Sequence, residues 1–171
     1  MTPVTEKFVL HWGEMGTRWG INRTMAQVHA LLFISAKPLH AEEITEALGV
    51  ARSNVSTSLR ELQGWGIVRI VHVMGDRRDH FESIKDVWDL FQQVLEERKR
   101  REIDPTILLL RDCVAEASRA GAAEAHARGK LAELLDFFLT TTAWYEQIRG
   151  LPRSALLKFI KLGDKLRRLL N

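Results

Sequence analysis

Apolar positions recur along this chain with two different periods. Phe8, Trp12, Met15 and Trp19 are spaced by four and three, which predicts a helix over 4–15 with Gly16 and Gly20 loosening its end. Asn22 reads as the N-cap of a second helix over 23–35, in which Met25, Val28 and Leu31 or Leu32 turn inward. Lys37-Pro38 ends it, because the residue before a proline is pushed out of helical geometry. Residues 41–48 read as a short helix, with Ile44 and Leu48 one turn apart and Glu42 and Glu43 favouring the dipole in its first turn. A tight turn at 49–51 then leads into "RSNVSTSLRELQGWG". There Val55, Leu59 and Leu62 keep helical spacing, although five of the six residues from Ser53 to Ser58 are Ser, Asn or Thr. "IVRIVHV" (67–73) has strand character, "MGDRRD" (74–79) is a turn, and "HFESI" (80–84) returns as a second strand.

From Asp86 onward the period is helical. Val87, Leu90, Phe91, Val94 and Leu95 form a stripe, followed by the charge run "EERKRRE". Asp104-Pro105 reads as an N-cap with a first-turn proline, restarting a helix that carries Leu110, Cys113 or Val114, and Ala117 on its apolar face. A break is expected around Gly121. A further helix over 130–148 turns Leu131, Leu134, Leu135, Phe138 and Ile148 inward, and a basic helix is expected over 153–170. Phe159, Ile160 and Leu166 join the candidates for core or interface.

The order helix, helix, short helix, tight turn, helix, strand, turn, strand predicts a winged helix-turn-helix. The expected fold class is mainly α with a small β-hairpin wing: a DNA-binding head over 1–85, then a helical dimerisation region, with room for an effector, over 86–171. The helix after the tight turn would be the reading helix. Its apolar face, Val55, Leu59 and Leu62, would hold it to the protein, since packing overrides weak helix propensity. Arg52, Ser53, Asn54, Ser56, Thr57 and Arg60 would point outward. Asn pairs with adenine, Arg with guanine, and hydroxyls take phosphates or base edges. Arg77 and Arg78 at the hairpin tip would reach a minor groove or its phosphates. A dimer would set two reading helices about one turn, roughly 34 Å, apart on a palindromic operator.

Charge sharpens this reading. The net charge of +3 lies entirely in the second half: residues 1–84 hold nine basic and nine acidic side chains, residues 85–171 sixteen and thirteen. Nucleic-acid binding by the head must therefore rest on local placement. Residues 51–80 supply it, with five arginines against three acids, and Glu42, Glu43 and Glu46 are expected to face away from the phosphates. The neutral head is also the feature that favours the alternative, a winged-helix protein-interaction module that does not touch DNA. The N-terminus lacks the basic start and long apolar run of a signal peptide, and no apolar run approaches a membrane span. With the single Cys113, a cytoplasmic protein is expected.

"WGEMGTRWG", "EEITEALGV", "SNVSTSLRELQGWGIV" and "GDRRDHF" together resemble the GbsR branch of the MarR-type transcriptional regulators, strongly over 8–91. The resemblance implies a dimeric transcription factor, a repressor in this reading, often responsive to a small molecule. One departure is Ala51, where relatives often have a serine N-cap; Ser53 is the substitute if the helix starts later.

No catalytic constellation, P-loop, dinucleotide loop or zinc spacing is present, so neither an enzyme, a cofactor nor a metal is expected. His72 and His80 could meet across the wing, and Cys113 reads as buried core. Trp12, Trp19 and Trp88 are candidates for an aromatic cage around a quaternary ammonium effector, with core packing as the alternative reading.

Overall fold

Helix α1 (Pro3–Arg18) is capped by Thr2, whose hydroxyl accepts from Thr5 N at 3.3 Å. It lies against α2 (Arg23–Ile34), and glycines set how close the two come. A Cβ on Gly16 would stand 2.5 Å from Ala26 Cβ, and one on Gly13 2.6 Å from Gln27 Cγ. Gly16 is therefore a contact inside the helix, not the loosened end its position suggested. The seam runs through Val9, Gly13 and Gly16, while Trp19 is left 59% exposed.

The computed structural model describes residues 1–155 together with Lys158 and Leu162. The expectations on Phe159, Ile160 and Leu166 lie outside the described residues, as does most of the helix expected over 153–170. The chain divides into two compact units, one over Met1–Val94 and one beginning at Leu95.

In the first unit, α2 ends under a side-chain cap. Lys85 Nζ donates to the carbonyls of Leu32 (2.7 Å), Phe33 (3.1 Å) and Ser35 (2.7 Å), pairing a cation with the negative end of the helix dipole. A two-residue strand, β1 (Leu39–His40), precedes α3 (Ala41–Leu48), and Gly49 in the left-handed conformation (φ 63°) turns the chain into α4 (Arg52–Gly64). Strands β2 (Val68–Val71) and β3 (His80–Ser83) form the hairpin. The sheet has three antiparallel strands in the order β1-β3-β2, with Leu39 and Ile70 both opposite Phe81. The expected two-stranded wing is thus anchored to the head by a third strand too short to show a period.

The core of this unit gathers Val9, Val28, Leu32, Ile44, Val55 and Leu62, all fully buried. Leu90 and Val94 of α5 (Val87–Arg98) pack on it, and Gln93 Nε2 donates to Trp65 O at 2.9 Å. This unit therefore takes in α5 as far as Val94.

In the second unit, α6 (Asp104–Arg119) starts where Asp104-Pro105 predicts, with Pro105 in its first turn, but a π-helical turn, Lys99–Ile103, joins it to α5 without a break. Asp104 caps nothing; its carboxylate accepts from Lys99 Nζ at 3.0 and 3.1 Å. Pro105 has no N–H to give, and its ring crowds the carbonyl four residues back; the wider turn before it accommodates both. A short 3₁₀ turn, Gly121–Glu124, holds the expected break, with Gly121 at φ 73°. Helix α7 (Ala125–Arg149) then packs on α6. Cys113 is half-buried instead of core, and Leu134, expected inward, is exposed.

Candidate nucleic-acid interface

Helix α4 is divided as its sequence pattern predicts. Val55, Ser58, Leu59 and Leu62 are buried, while Arg52, Ser53, Asn54, Thr57 and Arg60 are exposed and Ser56 is half-buried. Arg60 Nη2 donates to Thr57 Oγ1 at 3.4 Å. The N-cap is Ala51, with no side-chain cap; Asn54 N and Val55 N reach the Ala51 carbonyl at 3.0 and 3.2 Å. Ser53 lies inside the helix and caps no later start. The free amides of the first turn leave this end of the helix electropositive.

Beyond β2, Gly75 (φ 83°) turns the wing, and Met74 beside it is fully exposed. Arg77 is exposed at the tip. Arg78 is held by Asp76 through contacts that include Nε to Oδ1 at 2.9 Å, and its backbone N–H also donates to Asp76 Oδ1 at 3.0 Å. Those Arg78 bonds hold the Asp76 carboxyl far below the usual carboxylate range.

A cleft of about 390 Å³ opens between α4 and the wing, with Glu42, Arg52, Ser56, Arg60, Arg78 and Asp79 among its lining side chains. Three arginines thus meet at one surface. Two further helix residues, Ser53 and Asn54, lie at the exposed start of α4.

Glu42 contradicts the expectation that the α3 acids face away. Its Oε1 accepts from Arg52 Nε at 3.0 Å and lies 2.7 Å from Arg52 Nη2. Its Oε2 lies 2.9 Å from His40 Nδ1. The tight turn folds α3 beside the start of α4, so the first turns of the two helices share one edge. The Glu42 carboxyl is lowered by its own backbone N–H and then by His40 and Arg52.

His40 is the N-cap residue of α3, and its own backbone N–H donates to Glu43 Oε2 at 2.9 Å. Its Nδ1 lies 3.4 Å from Glu43 N as well as near Glu42, and one nitrogen cannot both accept from an amide and donate to a carboxylate. We assign the proton to Nδ1, facing the shorter contact. His40 also stands opposite His80 across the β1–β3 ladder, their rings edge-on at 5.5 Å. His80 Nδ1 lies 3.0 Å from Arg78 O. His80 therefore meets His40 instead of His72, because Val71 already occupies the position opposite it on β2. Among the described residues no cluster of three or more His, Cys, Asp or Glu could hold a metal.

Sequence reasoning missed Glu42, His40 and His80. The His40–Glu43 spacing of a capping box was the one available signal. Trp12, Trp19 and Trp88 do not form the expected cage around either cleft described. Trp12 packs on Phe8 at 5.4 Å and against the core, Trp19 is exposed, and Trp88 is half-buried at the start of α5. None of the three lines the cleft beside α4 or a second cleft bordered by Arg69, Ser83 and Lys85.

The MarR family model matches residues 19–79, from the end of α1 through the wing tip. Over that stretch, about a third of the chain, the winged-helix head is similar to the MarR family. Over 86 residues, 50% of this chain, it is 26% identical to the HTH-type transcriptional regulator YvaV of Bacillus subtilis. That stretch is 49% of YvaV, so the match spans about half the length of this relative. Over 154 residues, 86% of this chain and 85% of the relative, it is 20% identical to the HTH-type transcriptional repressor GbsR of Bacillus subtilis. A crystal structure of a transcriptional regulator matches 85% of this chain and 99% of its own at a TM-score of 0.57 and 22% identity, a likeness of fold. The matched segment contains α4, both wing arginines and the lining of the cleft described above except Phe81.

Proposed function

We propose that this chain is a DNA-binding transcriptional regulator that reads duplex DNA with α4 in a major groove and touches the flanking backbone or minor groove with Arg77 and Arg78. One observation carries the reading: an exposed polar and basic face on a helix whose opposite face is locked into the core, beside a wing that presents two arginines. Short side chains at the start of α4 leave room for close approach to base edges, and the first-turn amides offer donors to a phosphate. Repression is the proposed outcome, supported by the repressor named among the relatives. Such a regulator works in the cytoplasm.

A homodimer on an imperfect palindrome completes the reading. Its support lies in α7, which is apolar on two faces. Leu131, Leu135, Phe138, Tyr145 and Ile148 are half-buried on one face, while Leu134, Phe137, Thr141 and Trp144, at steps of three, four and three, are exposed on another. An exposed heptad-spaced stripe is the seam a second copy of the helix covers.

The experiment is a gel shift with duplex DNA from upstream of its own gene, titrated with salt and competed by random duplex. Arg77→Ala weakens binding to all duplexes and lowers the salt slope by about 0.9. Asn54→Ala changes which base is preferred at one position. Binding that is absent, or insensitive to salt and sequence, points to the protein-interaction module.

A further inference from the structure

Arg52 stands at the first position of α4, and N-terminal residues of a recognition helix are the ones that meet base edges. A guanidinium has two edges that offer a parallel pair of N–H donors: the side edge, Nε with one Nη, and the end edge, Nη1 with Nη2. Glu42 Oε1 takes the side edge, at 3.0 Å from Nε and 2.7 Å from Nη2. What remains open on Arg52 is the end edge, a planar two-donor fork that matches O6 and N7 of guanine.

Glu42 is itself held. Its other oxygen meets His40 Nδ1 at 2.9 Å, and His40 is buried beneath α3 and braced edge-on by His80. Arg52 and Glu42 are about equally exposed, at 53% and 55% of their side chains, and it is the buried His40 that anchors the pair. Without Glu42, Arg52 would be a long, half-exposed chain with several rotamers, suited to any nearby phosphate.

We infer that Glu42 is a specificity-determining positioning residue: it fixes the Arg52 guanidinium so that its free edge reads a guanine, and it suppresses use of that charge on the phosphate backbone. The inference rests on the DNA-binding reading above. It gives the acid on α3 a purpose that its charge alone would argue against, since a carboxylate at a DNA-facing edge lowers affinity for every sequence. The loss in general affinity is exchanged for discrimination at one base pair per half-site.

The test starts from a library of duplexes with a randomised core, selected with the wild-type full chain. The selected duplex is then varied one base at a time and bound by wild type, E42Q, R52A and the double variant. E42Q is expected to lower the preference for guanine at one position per half-site by about fivefold or more. Preferences elsewhere stay in place, and the salt slope steepens as Arg52 is released to a phosphate. In the R52A background the same E42Q change is expected to have no effect on base preference. A Glu42 that merely supported the fold would lower the Tm of E42Q and weaken all duplexes alike, which overturns the inference. So does an E42Q effect that persists without Arg52, or a base preference that E42Q leaves unchanged; in those cases the DNA-binding reading stands. Failure of the wild-type chain to select any duplex overturns both.

Discussion

His29 shows how a single side chain sets a condition on this fold. It lies in α2 at 6% exposure, its Nε2 is buried without a partner, and its ring is 6.1 Å from that of Phe33. Burial, with the charge of Lys85 adding, pushes its imidazole down to about 4 from an ordinary 6.5. The folded chain therefore keeps His29 neutral where the unfolded chain has already taken up a proton. Between pH 6.5 and 4 the unfolded state binds more protons, so stability falls as the pH is lowered through that window and the loss levels off below it. The shift corresponds to roughly 3 kcal/mol. His29→Leu keeps an apolar group of similar size and removes the proton. It should hold stability at pH 7 and lose about 3 kcal/mol less than the wild type by pH 4. Urea denaturation at pH 7, 5.5 and 4 measures both; parallel pH profiles for the two proteins would refute the assignment.

At the scale of elements, α4 starts at Ala51 without a side-chain oxygen to accept its first amides. The backbone there already has N-cap geometry, at φ −62° and ψ 141°. Ala51→Ser should therefore stabilise the chain by about 1 kcal/mol and slow amide exchange over 52–54. Exchange that is unchanged in the free protein would show that the first turn is already firm. The same helix shows what the sequence made legible. The split between Val55, Leu59 and Leu62 on one side and Arg52, Asn54 and Arg60 on the other is a matter of period within one helix, and period is local. The Glu42–Arg52 pair is not local: it joins two helices across a turn whose geometry depends on Gly49 adopting a left-handed conformation. Strand β1, two residues long, shows no period. Asp104-Pro105 marks the start of α6, but the π turn that joins it to α5 has no period of its own to read. Gly16 looked like a helix end because glycine usually is one; here the missing side chain makes room for Ala26.

For the whole molecule, the question is what covers α7. Leu134, Phe137 and Trp144 are each about half exposed, as are Leu108 and Leu109 on α6. Burying each such side chain is worth on the order of 1 kcal/mol or more, and a symmetric interface counts every residue twice. A second copy that covered the stripe would also supply the second reading helix that a palindrome requires. Changing the stripe then separates two quantities that a monomeric protein would keep together. Phe137→Glu with Trp144→Glu should convert dimer to monomer in sedimentation experiments, since each new carboxylate would face an apolar partner across the seam. Binding to a full palindrome should fall at least about tenfold, as the second half-site loses its effective concentration. Binding to a single half-site should stay as it was, because neither residue lies in the head. A double variant that remains dimeric, or that loses half-site binding along with the palindrome, would place the interface elsewhere.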